Sequence, residues 1–229
     1  MFQTKELNFL FIGVLLVVLM GSGQQQAVAQ ADDSFSIARI KYRGGGDWYN
    51  NPSALKNLIS FTKNQVPISI NPNYKDVAIG SSDLFNYPFA YLTGHGSITV
   101  NNAEISNVRE YLKHGGFLYI DDDYGLDEYA RYLISKLFPN EELIEIPFDH
   151  LLYHTIYDFN NGPPKIHKHD GKAPRGYGVF YEGRLVIYYT YESNVSDGWA
   201  DPNVHKDPEP VRQKAFRMGA NILVYALTN

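Results

Sequence analysis

Two short apolar runs, residues 89–92 and 117–120, flank a helical stretch of about a dozen residues, the spacing of a right-handed βαβ unit with parallel strands. Within that stretch Asn101 stands three residues before Glu104, a capping box that starts a helix. Ile105, Val108 and Leu112 then recur on one face, and Gly115 offers the left-handed stop that glycine tolerates best. The second run is apolar throughout, as a strand covered on both faces should be.

The same patterns extend to both sides. Residues 35–42 alternate apolar and polar, a first strand that runs into Gly44-Gly45-Gly46-Asp47-Trp48. From residue 52 a helix presents Leu55, Leu58, Ile59 and Phe61 on one face; 66–70 predicts a short strand and 74–81 a further extended piece. After Asp123, a helix carries Asp127 and Glu128 in its first turn and an apolar stripe of Leu126, Tyr129, Leu133 and Leu137, closed by Pro139. A strand at 143–146 precedes a long irregular stretch, 147–175, whose length suits a lid-like insertion. Residues 177–181 and 184–189 enclose Glu182-Gly183, a two-residue hairpin signal. A last helix from about residue 208 buries Ala215, Phe216, Ile222 and Leu223, with Asn221 among them. The order predicts an α/β fold: a three-layer α/β/α sandwich with a flavodoxin-like, mostly parallel sheet and an antiparallel edge hairpin.

The amino terminus stands apart. An apolar run at 10–20 is followed by Ala27-Val28-Ala29, the small-x-small pattern of a signal-peptidase site. The run is shorter than the roughly 20 residues of a spanning helix. Residues 1–29 therefore read as a signal peptide, and 30–229 as one exported domain, periplasmic or extracellular, with no spanning helix of its own. The chain has no cysteine, which excludes disulfides, lipid attachment at an amino-terminal cysteine and a thiol nucleophile. With 25 acidic and 20 basic residues, a net charge of −5 and no basic run, nucleic acid and anionic membrane are poor partners. Eighteen tyrosines suit half-buried positions and surfaces that face carbohydrate or peptide.

Candidate chemistry collects where strands end. The first run of the central unit leads into Gly94-His95-Gly96 and the second into Asp121-Asp122-Asp123, and ligands bind at the carboxyl ends of strands in an open parallel sheet. His95 suits a general base, a ligand or a hydrogen-bond donor; alternatively it stacks on Tyr87 or Tyr91 and merely satisfies backbone carbonyls. The three aspartates read either as a site for a divalent cation or sugar hydroxyls, or as a helix cap by Asp123 with Asp122 solvated. Asp47-Trp48, after the glycine triplet, is a second candidate for the cleft wall. No lysine-serine pair completes a phosphate loop there, so no nucleotide cofactor is expected. His150 with His154, or His167 with His169, have spacings a zinc ion could use, but no third ligand of fixed spacing is visible. The metal is left unassigned. No Gly-x-Ser-x-Gly elbow exists. Arg175 and Asn221 read as supporting groups.

The run from Tyr87-Pro88-Phe89 through Gly94-His95-Gly96, Gly115-Gly116 before Asp121-Asp122, Asp149-His150 after Ile146-Pro147, Gly198-Trp199 and Met218-Gly219-Ala220-Asn221-Ile222 resemble the bacterial family called domain of unknown function 4159, over 35–228. More distantly, the helix-Gly-Gly-strand followed by Asp-His is similar to ThuA-like proteins of the class I glutamine amidotransferase-like superfold. That resemblance implies a flavodoxin-like sheet and a carbohydrate connection; glutaminase activity does not carry over without a cysteine.

The resulting expectation is an exported protein that binds or processes a small polar ligand, a glycan among the candidates. His95, Asp121 and His150 would act as catalytic groups, with Asp47, Trp48, Asp122 and Trp199 binding the ligand. A divalent cation would sit at Asp121 and Asp122, and a tryptophan would stack on a sugar face. The alternative is a non-catalytic module of an envelope protein complex, docking through 147–175.

Overall fold

The computed structural model describes residues 34–229. The expected signal segment, 1–29, lies outside the described residues. The element order is β1 (Ile37–Lys41), α1 (Ala54–Lys63), β2 (Lys75–Ala78), β3 (Phe89–Gly94), α2 (Asn102–Lys113), β4 (Phe117–Asp122), α3 (Asp127–Leu137), β5 (Ile144–Glu145), β6 (Arg175–Tyr181), β7 (Arg184–Tyr191), α4 (Pro202–His205) and α5 (Glu209–Thr228).

The central unit forms for the reasons its sequence announces. The Asn101 side chain accepts from Glu104 N at 2.9 Å, and the Glu104 carboxylate accepts from Asn101 N at 2.7 Å, so two orphan amide donors of α2 are satisfied reciprocally. Gly115 ends the helix at φ +103°. β3 and β4 are buried along their whole lengths because helices cover both faces. Phe89, Tyr91, Phe117 and Tyr119 share a core with residues of α1 and α5; Ala90, Leu92, Leu118 and Ile120 share the other with residues of α2 and α3. Alternation along a strand produces the two layers.

The seven strands lie in the order β2-β1-β3-β4-β7-β6-β5. The first five are mutually parallel, in the doubly wound arrangement whose switch point falls between β1 and β3. β6 pairs antiparallel with both β7 and β5, so it alone runs against the rest. The predicted hairpin therefore exists, but its second strand sits inside the sheet, parallel to β4. The expected strand at 66–70 reduces to a single bridge between Phe35 and Ile70. Tyr129, expected in the buried stripe of α3, is exposed; Ala130 and Ile134 take that place beside Leu133 and Leu137. Of the long 147–175 segment, Leu152 and Tyr153 are buried. Asn221 on α5 pins it, accepting from Ile156 N and Tyr157 N and donating to Tyr157 O. Among the described residues no helix is long and apolar enough to cross a membrane.

Tyrosines knit the sheet centre on the α1/α5 side. Tyr91, Tyr119 and Tyr188 stack across three strands at 5.9 and 5.8 Å, and Trp199 leans on the first two at 5.8 and 6.1 Å. Trp199 in turn touches α5 at Gly219, where a methyl group would fall 2.6 Å from the indole Cζ2 and 2.6 Å from Leu58 Cδ1. Gly219→Ala would gain about 1 kcal/mol of helix propensity and lose about 1–3 kcal/mol to overpacking against a rigid ring. We expect a lower urea midpoint with an unchanged slope; a variant more stable than wild type would mean that this crossing is loosely packed.

Candidate functional site

The exits of β1 and β3 are zipped together. Thr99 N donates to Arg43 O at 2.6 Å, Gly46 N to Ser97 O at 3.2 Å and Asp47 N to His95 O at 3.3 Å. Gly94 permits this approach: its φ is +136°, and a Cβ there would fall 2.3 Å from Tyr42 Oη and 3.1 Å from Asp47 Oδ1. The result places Asp47 under His95. One Asp47 oxygen accepts from His95 N at 2.5 Å and the other lies 3.0 Å from His95 Nδ1. The His95 side chain is 52% exposed, and its Nε2 makes no hydrogen bond to any described residue.

Strand parity sorts the three aspartates. Asp121 and Asp123 leave the sheet on the α1/α5 side and Asp122 on the opposite side, as alternation requires. Asp122 accepts from Leu126 N at 2.9 Å, just ahead of α3, whereas the cap that the sequence offered to Asp123 is made by no side chain. Asp121 is fully buried; it accepts from Thr190 Oγ1 and from Ser196 N, the latter at 2.6 Å. Asp123 is the carboxylate that faces the site, with Oδ2 3.7 Å from His95 Nδ1. The Asp121 and Asp122 carboxylates point to opposite faces, so they cannot close on a single cation.

Every residue from Glu192 to Ala200, just past β7, is buried, and this loop completes the site. Asn194 Nδ2 donates at 2.8 Å both to Asp123 Oδ1 and to Asp197 Oδ2. Asn50 Nδ2 donates to Asp123 Oδ2. Asp197 also accepts from Asn51 Nδ2 at 2.6 Å and faces two imidazoles, with His167 Nδ1 at 2.9 Å and His205 Nε2 at 3.5 Å. His167 Nε2 lies 3.2 Å from Asp207. One chain of polar groups thus runs from Asp47 and His95 through Asp123 and Asp197 to the two histidines.

Its electrostatics are uneven. Burial, then the Asp197 charge, pushes the Asp123 carboxyl far above the usual range. Burial alone would also raise Asp197, but the His167 hydrogen bond and the His205 charge hold it below that range. Two such close carboxyls push each other's pKa values apart. The Asp197 hydrogen bond raises His167 against the opposing effect of its burial.

A family model described as domain of unknown function (DUF4159) matches residues 36–227. The chain belongs to this family. No curated protein matches it. In this DUF4159 chain the structure brings Asp47 and His95 together and buries Asp121 against Ser196 of the loop after β7. Four expected residues are engaged otherwise, Asp122 on the opposite face among them. His150 stacks against Phe180 and Tyr225 at 5.8 and 5.5 Å; Tyr225 also touches Phe117, the first residue of β4, so His150 belongs to the opposite edge of the sheet. Burial lowers its pKa. Trp199 is fully buried with Nε1 donating to Ala215 O at 2.8 Å, leaving no face for a sugar. The Trp48 ring is covered by the Arg39 guanidinium at 5.2 Å and the Lys41 ammonium at 5.8 Å.

The histidine pairings also separate. His154 is held by Asp158 and by Phe148 O, and His169 packs on Tyr124 at 4.9 Å, whereas His167 enters the site. Arg175 pairs with Glu145 between β6 and β5. Sequence reasoning missed Asn50, Asn51, Asn194, Asp197, His205 and Asp207. The available signal was the polar run Glu192-Ser193-Asn194 directly after an apolar strand, obscured by treating the hairpin as an edge.

Burial pushes the Asp121 carboxyl up from 3.8 to about 6, against its hydrogen bonds from Ser196 and Thr190. An acid with a raised folded pKa holds its proton more tightly folded than unfolded, so its contribution to stability is greatest in acid and declines as pH rises through that window. A shift of this size corresponds to about 3 kcal/mol. Relative to Asp121→Asn, the wild type should gain stability by about that amount between about pH 7 and about pH 4; Asp122, whose raised pKa owes part of its shift to the Asp121 charge, adds to the same difference. Parallel urea-denaturation stabilities across that range would show Asp121 to be ionised throughout.

Proposed function

We propose that this protein binds a small polar ligand at the carboxyl edge of its parallel sheet and acts on it by proton transfer through His95, with hydrolysis as the reaction class. The observation that carries the reading is the His95 imidazole: half exposed, oriented by Asp47 through Nδ1, and standing at 3.7 Å from the buried Asp123. A carboxylate on Nδ1 fixes the tautomer and leaves Nε2 free to take a proton from water or a hydroxyl. Tyr49 and Tyr124, 60% and 53% exposed, neighbour Asn50 and Asp123 in the chain and provide aromatic surface suited to a glycan. With 1–29 read as a signal peptide, the protein works outside the cytoplasm.

The second reading, docking of an envelope protein on the 147–175 segment, is favoured by Phe148 and Leu151, which stand 43% and 52% exposed there. Purified chain should be screened by thermal shift against oligosaccharides and peptidoglycan fragments. A ligand at 100 times its dissociation constant stabilises by about 2.7 kcal/mol, a rise of several degrees in Tm for a domain of this size. We expect His95→Ala to fold normally and to lose turnover and most of the ligand shift. A shift that persists undiminished in His95→Ala removes His95 from the site, and partner capture abolished by Phe148→Ser with Leu151→Ser would move the function to the docking surface.

A further inference from the structure

We propose that His167, Asp197 and His205 form a three-ligand site for a divalent transition-metal ion, with zinc as the ion best matched to the donors. One donor atom from each of the three side chains lies within 4.8 Å of the other two. They arrive from three segments with no common secondary structure: the irregular 147–175 stretch, the turn after β7, and α4. Both imidazoles aim a ring nitrogen at the same carboxylate, at 2.9 and 3.5 Å. Donors around a tetrahedral zinc with bonds of about 2.1 Å stand roughly 3.4 Å apart, so small side-chain rotations admit the ion.

The groups behind these donors are arranged as a metal site requires. His167 turns Nδ1 to the centre and has Asp207 at 3.2 Å from Nε2, the carboxylate–imidazole pairing that orients a ligating histidine and raises its basicity. Asn51 and Asn194 donate to the two Asp197 oxygens, fixing the plane of the carboxylate. His205 Nε2 meets Asn51 Oδ1 at 2.8 Å, a contact that a metal would replace.

Charge supplies an independent argument. The Asp123 and Asp197 side chains are each 3% exposed and are joined through one amide, Asn194. Among the described residues their ion-pair partners are histidines only; no lysine or arginine reaches either. A carboxylate as deeply buried as that of Asp197 calls for positive charge nearby, and a dication provides it. Two nitrogens and one oxygen, without thiolate, suit a borderline ion rather than magnesium or calcium. His167 and His205 are each about one-quarter exposed, which leaves the fourth position open to solvent, the pattern of catalytic rather than structural zinc. Metal binding stands on these residues alone and does not rest on the hydrolytic reading above.

The test uses the purified full chain, stripped with chelator and titrated with zinc alone against a chromogenic competitor, and with cobalt to read coordination by visible absorption. We expect one zinc per chain and an intense four- or five-coordinate cobalt spectrum. His167→Ala, His205→Ala and Asp197→Asn should each weaken zinc at least 100-fold, and His114→Ala, on an exposed surface elsewhere, should not. Asp197 is buried, so circular dichroism checks that variant, and the partly exposed His205→Ala carries the test if Asp197→Asn does not fold. Absence of zinc binding by the wild type, or binding unaffected by His205→Ala and His167→Ala, overturns the proposal. Zinc binding together with an unaltered ligand response in His95→Ala would leave the metal site standing and remove the catalytic reading; the converse result would do the reverse.

Discussion

The structure depends on the burial of a polar loop. Residues 192–200 contain a glutamate, two serines, an asparagine and an aspartate, yet none reaches solvent appreciably. A buried polar group without a partner costs about 1–3 kcal/mol, so the loop can exist only where partners are already in place. Asp121 is the first of them, receiving Ser196 N, and Pro164 O receives Ser193 Oγ. Lys165 answers Glu192, while Asn194 spans Asp123 and Asp197. These partners come from the end of β4 and from the 147–175 segment, and Trp199 Nε1 adds Ala215 O of α5, so the loop ties the three into one arrangement. Glu192 and Asn194 adopt left-handed backbone conformations, with φ of 58° and 54°, a local cost that these contacts offset.

The same loop gives the site its charge character. Where Glu192 has a lysine, Asp123 and Asp197 have imidazoles. Lysine and arginine would lock such carboxylates into permanent ion pairs; histidine leaves them available for exchange. Buried carboxylates of this kind are a costly way to hold the fold, because a well-packed apolar loop would hold the same elements together with less desolvation.

Much of this was legible in the sequence wherever local signals agreed. The capping box at Asn101, the stop at Gly115 and the doubly covered strand at Phe117 identify the central unit, and the strand-end rule leads from it to His95 and Asp47. Parity along β4 decides between the aspartates: Asp121 and Asp123 follow Phe117 and Tyr119 to one side, and Asp122 follows Ile120 to the other. The rest depends on tertiary placement. The hairpin signal at Glu182-Gly183 states that two strands are antiparallel to one another, not which of them enters the sheet, so nothing local reveals that β7 ends beside Asp123. His167 and His205 are far apart in sequence and meet only because that loop turns inward. Trp199 looked like a surface for sugars because composition cannot distinguish a tryptophan that stacks on a ligand from one that closes a core.

The position of β7 also bears on how the chain reaches this state. It lies between β4 and β6, so the middle of the sheet is closed by a strand that leaves synthesis late, and α5, which packs on α1, follows later still. Until residues 184–191 dock, β4 presents an unpaired edge made wholly of residues destined for burial, the kind of surface that recruits strands from other chains. Pairing across so many intervening residues is intrinsically slow. A nascent or stalled chain is therefore most vulnerable to association through β4, and the loop that builds the site assembles only after that hazard has passed.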